Sequence, residues 1–319
     1  MNPHSSPQMK AESLEWIQNF ATTPHMKRAF ELGDFSALCF LAYPLENKDV
    51  LRVACDLMNW FFLYDDQSDL MTPPDAQKLA ALVLNAISHP DNTGPAHECV
   101  VAEAIRQLWK LVSEVSSAAS RGRLIKNIYN CTSAIVQQAQ DRVLDHVRDV
   151  DEYLFLRRET VGATSAFVVL EFSLNLPDDI FEDAVIQRLN NACVDLILLS
   201  NDLYSYNVEQ ARGDGGHNLV TILMQHRHFT LTEAVKWIGD YALERVHSFL
   251  DDLNRVPFFG EEYQADVKRY LNGLGNFVRA NDCWHFESGR YFGRDGLEIQ
   301  RSRRVVLLPK QRLMPYFQY

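Results

Sequence analysis

Apolar residues recur at three- and four-residue spacing along almost the whole chain, whereas strict alternation with hairpin turns is scarcely found. That periodicity is the mark of amphipathic helices. It predicts an all-α chain with helices at roughly 10–20, 35–43, 47–66, 74–89, 97–116, 119–146, 150–174, 179–210, 218–227, 231–254 and 260–288. Pro44, Pro73, Pro74, Pro90, Pro177 and Pro257 fall between or near these segments and punctuate them. No linker, internal repeat or low-complexity tract interrupts the series, so residues 1–319 are expected to form one helical domain. Residues 1–8 and the basic stretch around Arg301, Arg303 and Arg304 read as loose ends.

Composition narrows the class of partner. With 319 residues, 47% of them hydrophobic, the chain can bury one large core or two ordinary ones. A formal net charge of −11 argues against nucleic acid or an anionic membrane, because both need a basic face. A polyanionic ligand would need a local cationic shell or metal ions. Cys39, Cys55, Cys99, Cys131, Cys193 and Cys283 are spread out, mostly inside apolar stretches, and read as buried thiols of a reducing compartment. The start lacks the apolar stretch of a signal peptide and no run is long enough to span a bilayer. A cytoplasmic protein without stable membrane insertion is expected, as a monomer or a homodimer.

Candidate chemistry begins at "WFFLYDDQSDL", residues 60–70, where three aspartates follow an aromatic block. On a helix of 3.6 residues per turn Asp65 and Asp69 share a face, and Asp66 is turned away by about 100°. One reading is a solvated helix end, but acids there oppose the helix dipole and invite a cation. Hard oxygen ligands without neighbouring His or Cys suit Mg²⁺. In "NDLYSYNVEQ", Asn201, Ser205 and Glu209 stand at i, i+4 and i+8 and form one stripe of oxygen ligands. That stretch also reads as the last turns of a helix stopping at "RGDGG".

Two further stretches carry cations. "YLFLRRETVGATSAFVV" places Arg157 and Arg158 shortly before Gly162, which permits a kink or a close backbone approach. Either guanidinium can grip a phosphate, and either can be a surface charge with its stem on the core. "SGRYFG" offers Arg290 and Tyr291 near the C-terminus, a weak signal alone. The acid pairs in "PDDIFED" (177–183) and "LDDLNR" (250–255) fit helix caps and amphipathic ends, so they read as structural. Zinc, nucleotide and dinucleotide motifs are missing from the sequence.

The four stretches in this order resemble the class I terpene synthases, in particular the fungal, basidiomycete-type sesquiterpene synthases, over roughly residues 30–295. The resemblance implies a single helical bundle around a central apolar cavity, with the DDxxD and NDxxSxxxE stretches facing each other across its mouth. It implies three Mg²⁺ ions. Asp65 would be the principal ligand of two, supported by Asp66 and Asp69, while Asn201, Ser205 and Glu209 hold the third. Arg158 is the implied diphosphate sensor because it shares a face with Gly162, with Arg157 still open. Arg290 and Tyr291 would donate to the diphosphate. One departure stands out: many relatives carry Lys or Arg immediately before the motif's glutamate, where this chain has Val208. Either that contact is missing or a residue such as Arg212 or His217 replaces it.

The implied substrate is farnesyl diphosphate. Its ionisation releases a highly charged anion, which metal ions and arginines stabilise, and leaves a carbocation that needs a dry, aromatic-walled site. Phe61 and Phe62 precede Asp65 by four and three residues, which places them on the same side of the helix. Phe277, Trp284 and Tyr291 are spaced by sevens, consistent with an opposing aromatic column, and for each of these aromatics ordinary core packing is the competing reading. The substrate-pocket candidates are therefore Phe61, Phe62, Gly162 and Trp284. A prenyl chain-elongating transferase would show a second DDxxD instead of NDxxSxxxE. A catalytically silent isoprenoid binder remains the alternative outside enzymes.

Overall fold

The computed structural model describes residues 1–92, 99–213 and 215–310. In chain order its helices are α1 (Pro7–Gln18), α2 (Pro24–Gly33), α3 (Phe35–Ala42), α4 (Lys48–Ser68), α5 (Pro73–Ser88), α6 (Val100–Val115), α7 (Ala118–Val143) and α8 (Val150–Thr160). They continue as α9 (Ala163–Val168), α10 (Asp178–Glu182), α11 (Ala184–Arg212), α12 (Leu219–His226), α13 (Leu231–Leu253), α14 (Glu261–Glu287) and α15 (Gly296–Ser302). Short 3₁₀ turns lie at Val169–Glu171, Gly215–His217 and Gly293–Asp295. No β-strand occurs among the described residues.

Packing closes the helices into a ring. α4 packs on α3, α3 on α14, α14 on α11, α11 on α8, α8 on α7, α7 on α5, α5 on α6, and α6 again on α4. The apolar stripes face one continuous core that runs from Met9 to Trp284. α1 covers the outside of α4, and α13 covers α11. α4 and α11, which carry the two acidic or amide-rich stretches, are separated in the ring by α3 and α14.

Local chemistry explains most of the boundaries. Asn47 caps α4 by accepting from the amides of Asp49 and Val50, and the helix continues unbroken through Asp65 and Asp66, with Asp69 as its C-cap. Asp183 caps α11 in the same way, through Val185 and Ile186, and Asp178 pairs with Arg123. Asp252 pairs with Arg188 at 2.9 Å. Both acid pairs set aside from the sequence are thus tied into the framework.

The segment predicted as one helix over 150–174 is broken. Gly162 sits between α8 and α9 at φ 71°, a left-handed conformation that a Cβ disfavours, and so it turns the chain where periodicity alone continues. The 179–210 prediction likewise splits at Asp183 into α10 and α11. α2 was missed despite the Thr23 cap and Pro24 at its first turn, because only Met26, Phe30 and Gly33 of its ten residues are buried. The predicted start of α6 at 97 lies outside the described residues.

Neither end is as loose as expected. Asn2 is buried and its amide donates to the carbonyls of Tyr43 and Glu46, at 2.6 and 2.8 Å. Near the other end, Leu308 N donates to Asn207 Oδ1 while Asn207 Nδ2 donates to Val306 O, so the chain after α15 lies against α11.

Candidate active site

The end of α4 carries Asp65 and Asp66, with Asp69 as its C-cap. Asp65 is exposed to water, yet burial pushes its carboxyl above the usual range, while Arg290 and Arg157 pull it down and Asp66 raises it. Among the described residues no hydrogen bond reaches the carboxylates of Asp65 and Asp66; the backbone carbonyl of Asp65 accepts from Ser68 Oγ at 3.1 Å.

The end of α11 is filled with hydrogen bonds. Asn218, the cap of α12, donates through Nδ2 to Glu209 Oε2 at 2.9 Å and to the carbonyl of Asp202 at 2.8 Å, with Ser205 Oγ at 3.4 Å. Burial and the neighbouring Asp202 raise the Glu209 carboxyl, and Ser205, Asn218 and Arg157 oppose them, leaving it at about 7. Ser205 is 2% exposed, and Asn201 and Glu209 are half-buried.

The adjacent arginines part company. Arg157 donates from Nε to Asp202 Oδ1 at 3.0 Å and from Nη2 to Asn201 Oδ1 at 2.8 Å. Burial alone would lower its guanidinium; Asp202, Tyr153 and Glu209 more than offset that and hold it charged. Arg158 instead makes a two-pronged pair with Asp195, at 2.6 and 3.0 Å, and lies beside Tyr241 of α13. The face shared with Gly162 therefore leads Arg158 away from Asn201, and Arg157 is the one brought to the Asn201–Glu209 end.

The remaining donors connect to this pair. Asn201 Nδ2 donates to Tyr291 OH at 3.3 Å, and Arg290 Nε donates to the same oxygen at 3.0 Å. One chain of hydrogen bonds thus runs from Asp202 through Arg157, Asn201 and Tyr291 to Arg290, joining three stretches far apart in sequence. Arg290 in turn lies over the ring of Phe62, 4.4 Å from its centroid, on the helix that carries Asp65.

Several expectations about individual side chains change. Phe62 stacks on Phe35 at 3.7 Å, and the Arg290 guanidinium lies 4.4 Å from the Phe62 centroid and 5.6 Å from that of Phe35, so the ring is packed among its neighbours. Trp284 is 2% exposed, donates to Gly33 O and packs among Phe35, Phe62, His285 and Tyr291 as core. Phe277 packs edge-on against Tyr43 and Phe167 and is core as well. Phe61 remains half-buried, with a Cβ built at Gly162 lying 3.9 Å from its ring. His217 does not replace the base missing at Val208: burial, with Arg157, Arg142 and Arg148 nearby, pushes its imidazole well below the usual range and keeps it neutral. Arg212 is exposed.

Asp202, Tyr153 and Asn218 were missed from the sequence. Asp202 is 1% exposed and accepts from Arg157, from Tyr153 OH at 2.5 Å and from Leu219 N at 3.0 Å. Its position beside Asn201 was the available signal, but one residue along a helix is a turn of about 100°, which pointed away from the ligand stripe.

The residue set fits a divalent cation. Asp65, Asp66, Asp69, Asn201, Ser205 and Glu209 supply only oxygen, the donor type Mg²⁺ takes. No group of three His, Cys, Asp or Glu side chains closes around a metal among the described residues, so Asp65, Asp66 and Asp69 do not by themselves form a closed ligand set.

Comparison with known proteins agrees with this geometry. The family profile "Terpene synthase family 2, C-terminal metal binding" matches residues 56–248. The chain belongs to the terpene synthase family. It is 40% identical over 311 residues to a Delta(6)-protoilludene synthase of Armillaria gallica, spanning 97% of this chain and 90% of that one. It is 38% identical over 316 residues to Sesquiterpene synthase 14 of Postia placenta, spanning 99% and 90%. Among solved structures, a-eudesmol synthase superposes with a TM-score of 0.78 at 20% identity, covering 91% of this chain and 99% of that one. Linalool/nerolidol synthase of Streptomyces clavuligerus gives 0.77 at 22% identity, covering 89% and 96%. The fold of this terpene synthase is accordingly the all-α terpenoid synthase fold.

Proposed function

We propose that this terpene synthase is a Mg²⁺-dependent sesquiterpene cyclase that ionises farnesyl diphosphate and cyclises the carbocation to a hydrocarbon or alcohol, releasing diphosphate. The observation that carries the reading is the hydrogen-bonded chain from Asp202 to Arg290, whose Arg157 and Arg290 both act on the Asp65 carboxyl. The names of its relatives support the C15 substrate, since they are protoilludene and sesquiterpene synthases.

In this reading Asp65, with Asp66 and Asp69, and the Asn201–Ser205–Glu209 stripe hold three Mg²⁺ ions. Bound there, the ions supply charge neutralisation of the diphosphate as the C–O bond breaks and its electron pair goes to oxygen. Arg157 and Arg290 donate to the diphosphate oxygens and Tyr291 orients Arg290. Among the cations near Glu209, Arg157 takes the place of the base absent at Val208. Phe61 and the break at Gly162 border the hydrocarbon chain, where an aromatic face stabilises positive charge.

Residues 1–319 are read as one domain, supported by the single core from Met9 to Trp284. No helix among the described residues is long and apolar enough to cross a membrane, and all six cysteines are free, which supports the cytoplasmic reading. The test is incubation with farnesyl, geranyl and geranylgeranyl diphosphates, with Mg²⁺ or with chelator, and gas chromatography of the volatiles. Cyclic C15 products formed only with Mg²⁺ are expected. Chain elongation, or no turnover of any of the three, would contradict the reading.

A further inference from the structure

α13 has two apolar faces, and the fold of one chain uses only the first. Ala234, Ile238 and Asp252 are buried, and Trp237, Tyr241 and Phe249 pack on the core beside them, so this side covers α11. About a third of a turn further round, Gly239, Leu243, Val246, Leu250 and Leu253 follow one another at alternating steps of four and three residues. All five face solvent, Leu243 and Leu250 being 55% and 52% exposed, and the exposed Val235 and Phe258 extend the stripe at its two ends. A 4–3 repeat of apolar residues is the seam along which one helix packs on another, and nothing among the described residues covers this one. Gly239 lies in the middle of the helix, where glycine is less favourable than alanine, yet a Cβ built on it meets no atom within 4 Å. Its own molecule gives no reason for the missing side chain.

We propose that this stripe is a self-docking face, on which a second copy of the chain lays its own α13 antiparallel, across a two-fold axis between Leu243 and Val246. In that register Leu243 meets Val246 of the partner subunit, and Leu250 of the partner subunit falls on Gly239, the one position of the stripe with no side chain in its way. Each contact is made twice, because the axis exchanges the two copies. Charge fits the same register: Asp240 and His247 border the stripe on its solvent edge, and Asp240 faces His247 of the partner subunit, a carboxylate against an imidazole. A parallel pairing would set Gly239 against Gly239 of the partner subunit and leave a void there. The exposed Asp240, Glu244 and Asp251 make the rim mainly acidic on a chain of net charge −11, which favours a second copy over an anionic lipid surface as the occupant.

Sedimentation velocity of the full chain between about 1 and about 100 μM reads the association. A reversible dimer of twice the chain mass is expected within that range. Leu243→Glu puts a charge into the seam twice and should raise the dimer Kd by about 100-fold, while circular dichroism and thermal unfolding of the monomer stay near wild type because the position is exposed. Gly239→Leu is the sharper variant, since it favours the helix but fills the place of the partner's Leu250. It should weaken the dimer by about tenfold with no loss of helical stability. Asp240→Arg should weaken the dimer as well, and adding His247→Glu to it should restore the pairing. A chain that stays monomeric up to about 100 μM would overturn the proposal, and flotation of that monomer with phosphatidylcholine vesicles would reassign the stripe to a lipid surface. A dimer that Leu243→Glu and Gly239→Leu both leave intact would overturn it too, by placing the interface on another face.

Discussion

The end of α4 and the end of α11 carry the two proposed sets of metal ligands, and they are prepared in opposite ways. The carboxylates of Asp65 and Asp66 are exposed and accept no hydrogen bond among the described residues. Asn201, Ser205 and Glu209 are already engaged: Arg157 holds Asn201, and Asn218 reaches both Ser205 and Glu209. An ion at α4 needs only to relieve crowded carboxylates, whereas an ion at α11 must replace existing hydrogen bonds. The first site is open and the second is pre-organised, so damage to the first should fall on turnover and damage to the second on the fold as well.

Asp202→Asn offers the largest expected effect and the sharpest test of that contrast. It leaves the Arg157 guanidinium buried without its carboxylate, a change that costs about 3–5 kcal/mol in folded proteins. Chemical denaturation would read it. Stability close to wild type would mean that the α11 end is less rigidly built than its hydrogen bonds imply.

Asp65→Asn should behave in the reverse sense. kcat/KM should fall by about 10²–10³-fold, similar to the loss of a group that stabilises developing charge, while the melting temperature stays near wild type because no partner is orphaned. Asp66→Asn, turned away on the helix, should lose less. An Asp66 variant more damaged than the Asp65 variant would show that the other face of α4 meets the ions.

Gly162→Ala tests the break that borders both ends. The new Cβ has room, 3.9 Å from Phe61, so the cost is conformational: about 1–2 kcal/mol for the left-handed backbone. A melting curve unchanged by the substitution would remove strain as the reason glycine stands there.

The smallest effect is on pH. The Glu209 carboxyl is raised to about 7, so without metal its protonated form supports the fold below about 4.5, and that contribution is lost as pH rises through 7. A metal needs the carboxylate, so the Mg²⁺ concentration that gives half-maximal activity should rise as pH falls below 7, by up to about tenfold per unit. The dependence should flatten in Glu209→Gln. A wild-type Mg²⁺ requirement indifferent to pH between 6 and 8 would count against an ion at Glu209.

Much of this was legible before any coordinates. Helical periodicity foretold α4 and α14 within about two residues at each end, because each buries a long regular stripe, whereas it ran α10 and α11 together across Asp183. The order of DDxxD, the arginine pair, NDxxSxxxE and the RY pair pointed to the family. Sequence could not separate Arg157 from Arg158, because the choice depends on which carboxylate of α11 each meets, and Asp195 and Asp202 lie seven residues apart on that helix. It also read Phe62 and Trp284 as pocket wall, since an aromatic near a ligand motif looks the same whether it faces substrate or supports a neighbouring side chain. Asn218 lay beyond reach for a similar reason: it acts from the next helix, across the short turn that follows α11.

The central claim is that the two unlike ends of α4 and α11 act together on a prenyl diphosphate through bound Mg²⁺. Release of diphosphate from farnesyl diphosphate, followed continuously while Mg²⁺ is removed with chelator and then restored, tests it most directly. The account predicts that release stops on removal and resumes on addition, with the helical circular dichroism unchanged throughout. Release that continues at full rate in chelator would contradict it.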